Sequence, residues 1–74
     1  MEKQTIRSRD LALIFQAVRI YLNLSIEEAA RLSGLCCQEI ESIEKGNLHL
    51  PASYYLKLCE VYEIPLFEEY DITL

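Results

Sequence analysis

The stretch SIEEAARLSGLCCQEIESIEKG, residues 25–46, decides the fold. It opens on Ser25 with Glu28 three residues on, the spacing at which serine and glutamate satisfy each other's unbonded backbone donors at a helix N-terminus. The helix so begun runs through Ala29, Ala30, Arg31 and Leu32. It stops at Ser33-Gly34, because glycine takes the left-handed conformation that ends a helix and turns the chain. Beyond the turn, Ile40 and Ile43 sit three apart and predict a helix of about two turns over residues 36–45, closed by Gly46. Two short helices joined by a glycine-containing turn describe a helix-turn-helix. In this one Ala29 and Ala30 let the first helix approach the second, Leu35 fills the space beneath the turn, and Ile40 and Ile43 anchor the second helix to the core. The outer face of that second helix is left to meet a partner.

Upstream, Leu11, Ile14, Phe15, Val18 and Leu22 fall at helical spacing and predict a helix from Asp10 to Leu22, with Asp10 or Ser8 as its N-cap and a break at Asn23-Leu24. Downstream, residues 47–50 read as a loop and Pro51 opens a helix, since its missing N–H is not needed in a first turn. Tyr55, Leu58, Cys59 and Tyr62 give that helix an apolar stripe, and Pro65 is expected to close it by disfavouring helical geometry at Ile64. Residues 66–74 read in two ways: a short fifth helix through Phe67 and Tyr70, or a strand in which Tyr70, Ile72 and Leu74 alternate with Asp71 and Thr73.

The whole chain, 74 residues and 51% hydrophobic, is expected to form one domain over residues 1–74. A chain of this length buries only about 60% of its unfolded surface, which leaves no room for a catalytic cleft. It carries no paired carboxylates, triad or phosphate loop in a suitable setting, so an enzyme is not expected. Its apolar runs fall far short of the roughly 18 to 20 residues of a membrane span. Glu2, Arg7, Arg9 and Asp10 leave no apolar segment for a signal peptide, so a cytoplasmic location and no membrane association are expected. Three cysteines, two of them adjacent, do not make a disulfide framework. Cys36, Cys37, Cys59 and His49 match no zinc signature in their spacing, so neither a metal nor a cofactor is expected.

The net charge is −5 and unevenly spread. Lys3, Arg7 and Arg9 make residues 1–9 a flexible basic arm, whereas residues 47–74 set Lys57 alone against five carboxylates.

The order and spacing of Ser25-Ile26-Glu27-Glu28-Ala29-Ala30, Gly34-Leu35, Ile40, Ile43-Glu44-Lys45-Gly46, Pro51 and Leu56-Lys57-Leu58-Cys59 resemble the Cro/C1-type (XRE-like) helix-turn-helix family over about residues 11 to 68. The resemblance implies an all-α, compact four- to five-helix, lambda-repressor-like DNA-binding domain. It also implies a sequence-specific transcriptional regulator of the small phage, plasmid or bacterial repressor type, with residues 36–45 in the major groove of double-stranded DNA. In such proteins an arginine on the first helix pairs with the glutamate before the glycine. Arg19 and Glu44 occupy those places and read as a structural ion pair.

The resemblance assigns DNA contacts to Cys37, Gln38, Glu41, Ser42 and Lys45, with Arg7 and Arg9 on the arm. Gln38 has clear base-reading capacity, as glutamine bonds adenine N6 and N7 together, and Glu41 can accept from cytosine N4. Lys45, Lys3, Arg7 and Arg9 supply the cations for phosphates. The sequence departs from the family in Ile26, where a glutamine usually faces DNA, and in Glu39. Ile26 either joins Cys37 in an exposed apolar patch or tucks beside the recognition helix.

A lone unit of this kind reads too few base pairs, so a homodimer is expected, with residues 66–74 as the candidate dimerisation segment through Leu66, Phe67, Tyr70 and Ile72. The alternative is a protein-interaction helix-turn-helix module that has lost DNA binding and meets a protein partner through an acidic surface.

Overall fold

The computed structural model describes residues 4–47 and 50–73. Its elements in chain order are β1 (Gln4–Arg7), α1 (Ser8–Tyr21), α2 (Ile26–Ser33), α3 (Cys37–Glu44), α4 (Ala52–Tyr62), α5 (Leu66–Glu69) and β2 (Tyr70–Thr73). The molecule is mostly helical. The description all-α is approximate, because β1 and β2 form a two-stranded parallel sheet in which Gln4 lies opposite Tyr70 and Ile6 opposite Ile72.

A parallel pair needs a long crossover, and here the entire helical body provides it. Of the expected arm over residues 1–9, residues 4–7 form β1 and residues 8–9 begin α1. Residues 4–7 hydrogen-bond to β2, half-buried Ile6 packs against the core, and Arg9 already stands in the first turn of α1. Lys3 lies outside the described residues. The C-terminal stretch takes a part of each reading: a helical turn that ends at Glu69, short of Tyr70, and then the strand Tyr70–Thr73, with Leu74 outside the described residues.

Each helix boundary has a local cause. Arg7 occupies the N-cap of α1 without a side-chain bond, in place of Ser8 or Asp10. The helix ends where Asn23 takes a left-handed φ of 60° and Leu24 N–H bonds back to Arg19 O at 3.0 Å. At the start of α2 the reciprocal bonds of Ser25 and Glu28 form, each at 3.0 Å. Gly34 ends that helix at φ 77°, its N–H bonded to Ala30 O at 2.9 Å. Pro51 caps α4. That helix stops at Tyr62 because Glu63 turns left-handed at φ 56° and Ile64 N–H reaches back to Cys59 O at 2.9 Å. The terminator is therefore Glu63, not the geometry that Pro65 imposes on Ile64.

The core gathers Leu11 and Phe15 of α1, Ala29 of α2, Ile40 and Ile43 of α3, and Tyr55, Leu58 and Tyr62 of α4, with Leu35 sealing the turn. Phe15 stacks on Tyr55 with centroids 6.3 Å apart and meets Tyr62 at a tilt, 6.2 Å away. The whole predicted stripe of α4 is buried. Leu66 is buried as well, which positions α5 against the core and removes this residue from the expected self-association surface.

Candidate nucleic-acid interface

The site is built from α2, the turn Gly34–Cys36 and α3. The turn is tied from inside by Ser33. Its buried hydroxyl donates to Ala29 O at 2.7 Å, with a longer contact to Ala30 O at 3.3 Å, and accepts from Leu35 N–H at 3.3 Å. One side chain thus satisfies the end of α2 and the first amide beyond the turn, where water has no access. The place of Ser33 at the helix end was expected, but not the bonds of its hydroxyl. Their signal was a serine directly before the glycine, close enough to bond back to the preceding turn.

At the N-terminus of α3, Glu39 folds back so that its carboxylate accepts from Cys36 N–H at 2.8 Å. A thiol is a weak acceptor, so the carboxylate carries most of this cap. The bond from Cys36 N–H, then the Cys36 thiol, then the Tyr54 hydroxyl and nearby Lys57 hold the Glu39 carboxyl below its ordinary range. The same carboxylate pushes the Tyr54 phenol up. Lys57 Nζ stands 5.9 Å from the Tyr54 ring centroid, a cation over an aromatic face. Glu39 is therefore a capping residue of α3. Lys57 is a cation beside the start of α3 that sequence reading left out of the site.

Glu44, at the other end of α3, is also occupied. It accepts from Arg19 Nε at 2.6 Å and from Nη2 at 3.0 Å, while Arg19 Nη1 donates to Leu24 O at 2.8 Å. The two side chains are 12% and 6% exposed, so the pair is an internal brace between α1 and α3, as the resemblance implied. The bidentate bond with Glu44 raises the Arg19 pKa against the opposing effect of burial.

With two acids of α3 occupied, its outward face presents Gln38, Glu41 and Lys45, all exposed, and half-buried Ser42. Their spacing of three, four and seven residues from Gln38 places them on one side of the helix. Cys37 does not join them in the open: it is half-buried and packs on the core's margin, as does Ile26. Arg7 and Arg9 are exposed on β1 and at the start of α1, on the part of the molecule that carries the sheet.

The C-terminal candidates divide. Leu66 is core, Tyr70 is half-buried against the core, and the side chains of Phe67 and Ile72 lie outside the described set, though the backbone at 72 pairs with β1.

Cys59 is a core thiol whose pKa burial pushes up to about 11, which makes it a poor nucleophile. Among the described residues no three His, Cys, Asp or Glu side chains stand together as a metal set. His49 lies outside those residues. No helix among them is long and apolar enough to cross a membrane. A recess of about 450 Å³ beside the C-terminal end of α4 has Leu56, Ile64 and Leu66 in its lining, together with the carboxylates Glu60, Glu63 and Glu68. That acid repels phosphate and sets the recess apart from the α3 face. Comparison with known protein families and with curated proteins gave no match for this chain.

Proposed function

We propose that the protein is a sequence-specific, double-stranded DNA-binding regulator that inserts α3 into the major groove and acts as a homodimer. The observation that carries the reading is the division of labour among the acids of α3. Glu39 caps the helix and Glu44 braces it to Arg19, which leaves Gln38, Glu41, Ser42 and Lys45 in register on the outward face. Gln38 is the base reader, bonding adenine through its amide, and Glu41 accepts from a cytosine amino group. Lys45 and Lys57 flank the two ends of α3 and hold phosphates, with Arg7 and Arg9 as further cations.

Few cations mean few displaced counterions, so affinity should fall gently with salt. The test is fluorescence anisotropy of a labelled duplex from upstream of the protein's own gene, against a scrambled duplex, across a salt series. Saturable, sequence-preferring binding is expected. Gln38→Ala should relax preference at one base pair by about 1–3 kcal/mol. Unchanged relative affinities across a panel of single-base operator variants would remove Gln38 from its role.

The net charge of −5 and exposed Glu41 favour a second reading, a module of the same architecture that docks on a basic protein instead of DNA. Absence of DNA binding even at low salt is the result that would select it.

A further inference from the structure

The recess beside the C-terminal end of α4 joins an apolar floor to an acidic rim. Leu56, Glu60 and Glu63 recur at i, i+4 and i+7 along α4 and its C-cap, while Pro65 and Glu68 enter the lining from the turn and from α5. Buried Cys59 and Leu66 form the floor, and Leu56, 47% exposed, is an apolar wall open to solvent. At about 450 Å³ the recess stands at the small end of ligand pockets and admits an anchoring side chain rather than a whole helix.

Nothing in the lining offsets the acid. Glu60, Glu63 and Glu68 are all exposed, and no lysine, arginine or histidine stands with them among the described residues of the recess. Lys57, next to Leu56 in sequence, holds its ammonium 5.9 Å from the Tyr54 ring, on the side where Glu39 lies. The one ion pair among the described residues is Arg19 with Glu44, so the three carboxylates keep their charge unpaired. Glu63 does so in a left-handed backbone, φ 56°, where glycine is the favoured residue.

We infer that the recess docks a cationic amphipathic segment of a partner protein, an apolar anchor flanked by lysine or arginine. Charge complementarity selects this occupant. DNA phosphates are repelled, and a second copy of the chain brings its own net charge of −5. Carboxylates divided between the end of α4 and α5 match cations spaced along a peptide, which a single small amine does not supply. The anchor in the apolar floor gives affinity, and the rim gives orientation and rate. No residue of α3 lines the recess, so the inference stands independently of DNA binding.

Fluorescence anisotropy of labelled synthetic peptides, titrated with the full chain in the absence of DNA, tests it. The probes are a helix-forming leucine–lysine peptide, its leucine–glutamate counterpart, and an all-lysine peptide of the same charge as the first. Saturable binding of the leucine–lysine peptide, weakening with salt, is expected. The leucine–glutamate peptide should not bind, and the all-lysine peptide should bind about tenfold more weakly or worse, for want of an anchor. Glu60→Gln with Glu63→Gly should weaken binding by about tenfold or more while keeping or raising the midpoint of thermal unfolding, since glycine suits the left-handed position. Asp10→Asn with Glu27→Gln makes the same change in net charge at exposed acids outside the recess and should alter binding by less than about twofold. No saturable binding of the leucine–lysine peptide, equal affinity for the all-lysine peptide, or equal losses in the two double variants would overturn the assignment. Self-association of the chain that the recess variant abolishes would also overturn it, by giving the recess to Arg7 and Arg9 of a second copy.

Discussion

Tyr62 shows how much one side chain contributes to this small core and what it costs. Its ring fills space against Phe15, yet its hydroxyl is buried with no hydrogen-bond partner among the described residues. Burial, then the nearby Glu44 carboxylate, push its pKa up to about 12, and burial alone pushes Cys59 up to about 11. Both groups lie above their ordinary values of 10.0 and 9.0, so folding keeps them protonated. The stability they contribute is whole below about pH 9 and is lost as the pH climbs through 11 to 12, because the unfolded chain ionises first. Removing an unpartnered buried hydroxyl without changing the ring is neutral or favourable. Tyr62→Phe is therefore expected to be as stable as the wild type at pH 7, or more so by up to about 1 kcal/mol, and to lose stability less steeply above about pH 10. Urea unfolding of both proteins at a series of pH values measures this. Parallel alkaline limbs would mean that folding leaves the Tyr62 phenol unperturbed.

At the scale of elements, the angle between α2 and α3 rests on three residues: Ser33, which bonds across the turn, Gly34, which turns it, and Leu35, which seals it. Gly34 has φ 77°, and a β-carbon built there meets no atom within 4 Å. Gly34→Ala would thus be destabilised by conformation alone, by about 1–2 kcal/mol, with no steric clash. Gly34→Asn should lose less, since asparagine tolerates the left-handed region. Thermal unfolding of the two variants gives the order, and equal losses would point to a clash that the open space denies. This element was legible in the sequence because its signals are local: a serine and glutamate at capping spacing, a glycine, and apolar residues three apart. Glu39 was not legible as a cap, because the residue before α3 is a cysteine and the expected partner is a hydroxyl. Glu63 was hidden for a related reason, in that a left-handed glutamate carries no compositional mark and the nearby Pro65 offers a simpler terminator. The sheet was the least visible of all. Residues 4–7 contain one large apolar side chain, and their partner strand lies at the far end of the chain, so no local pattern links them.

Across the whole molecule, one interaction joins the elements that periodicity alone cannot orient. Arg19 extends from α1 to Glu44 on α3 and, through Nη1, to Leu24 in the connection before α2. The brace fixes α3 relative to the rest of the fold and consumes a charge at each end, so that α3 keeps only Glu41 as an unoccupied acid on its outward face. The resemblance of spacing named this pair in advance, whereas composition placed Arg19 with the cations and Glu44 with the excess acid. Two opposed expectations follow for its removal. Taking away one partner leaves a nearly buried charge unmatched, so Arg19→Ala and Glu44→Ala should each cost about 3–5 kcal/mol. Replacing both with apolar side chains of similar volume, Arg19→Met with Glu44→Leu, removes the desolvation cost along with the attraction and should restore stability to near the wild-type value. The double variant still leaves Leu24 O without its guanidinium donor, so a residual deficit of about 1 kcal/mol is expected. Urea unfolding of the four proteins completes the cycle. Losses that simply add in the double variant would show that the two residues act separately. A recovered double variant that has also lost the DNA binding proposed for α3 would show that the ion pair sets the pose of α3 as well as holding the fold together.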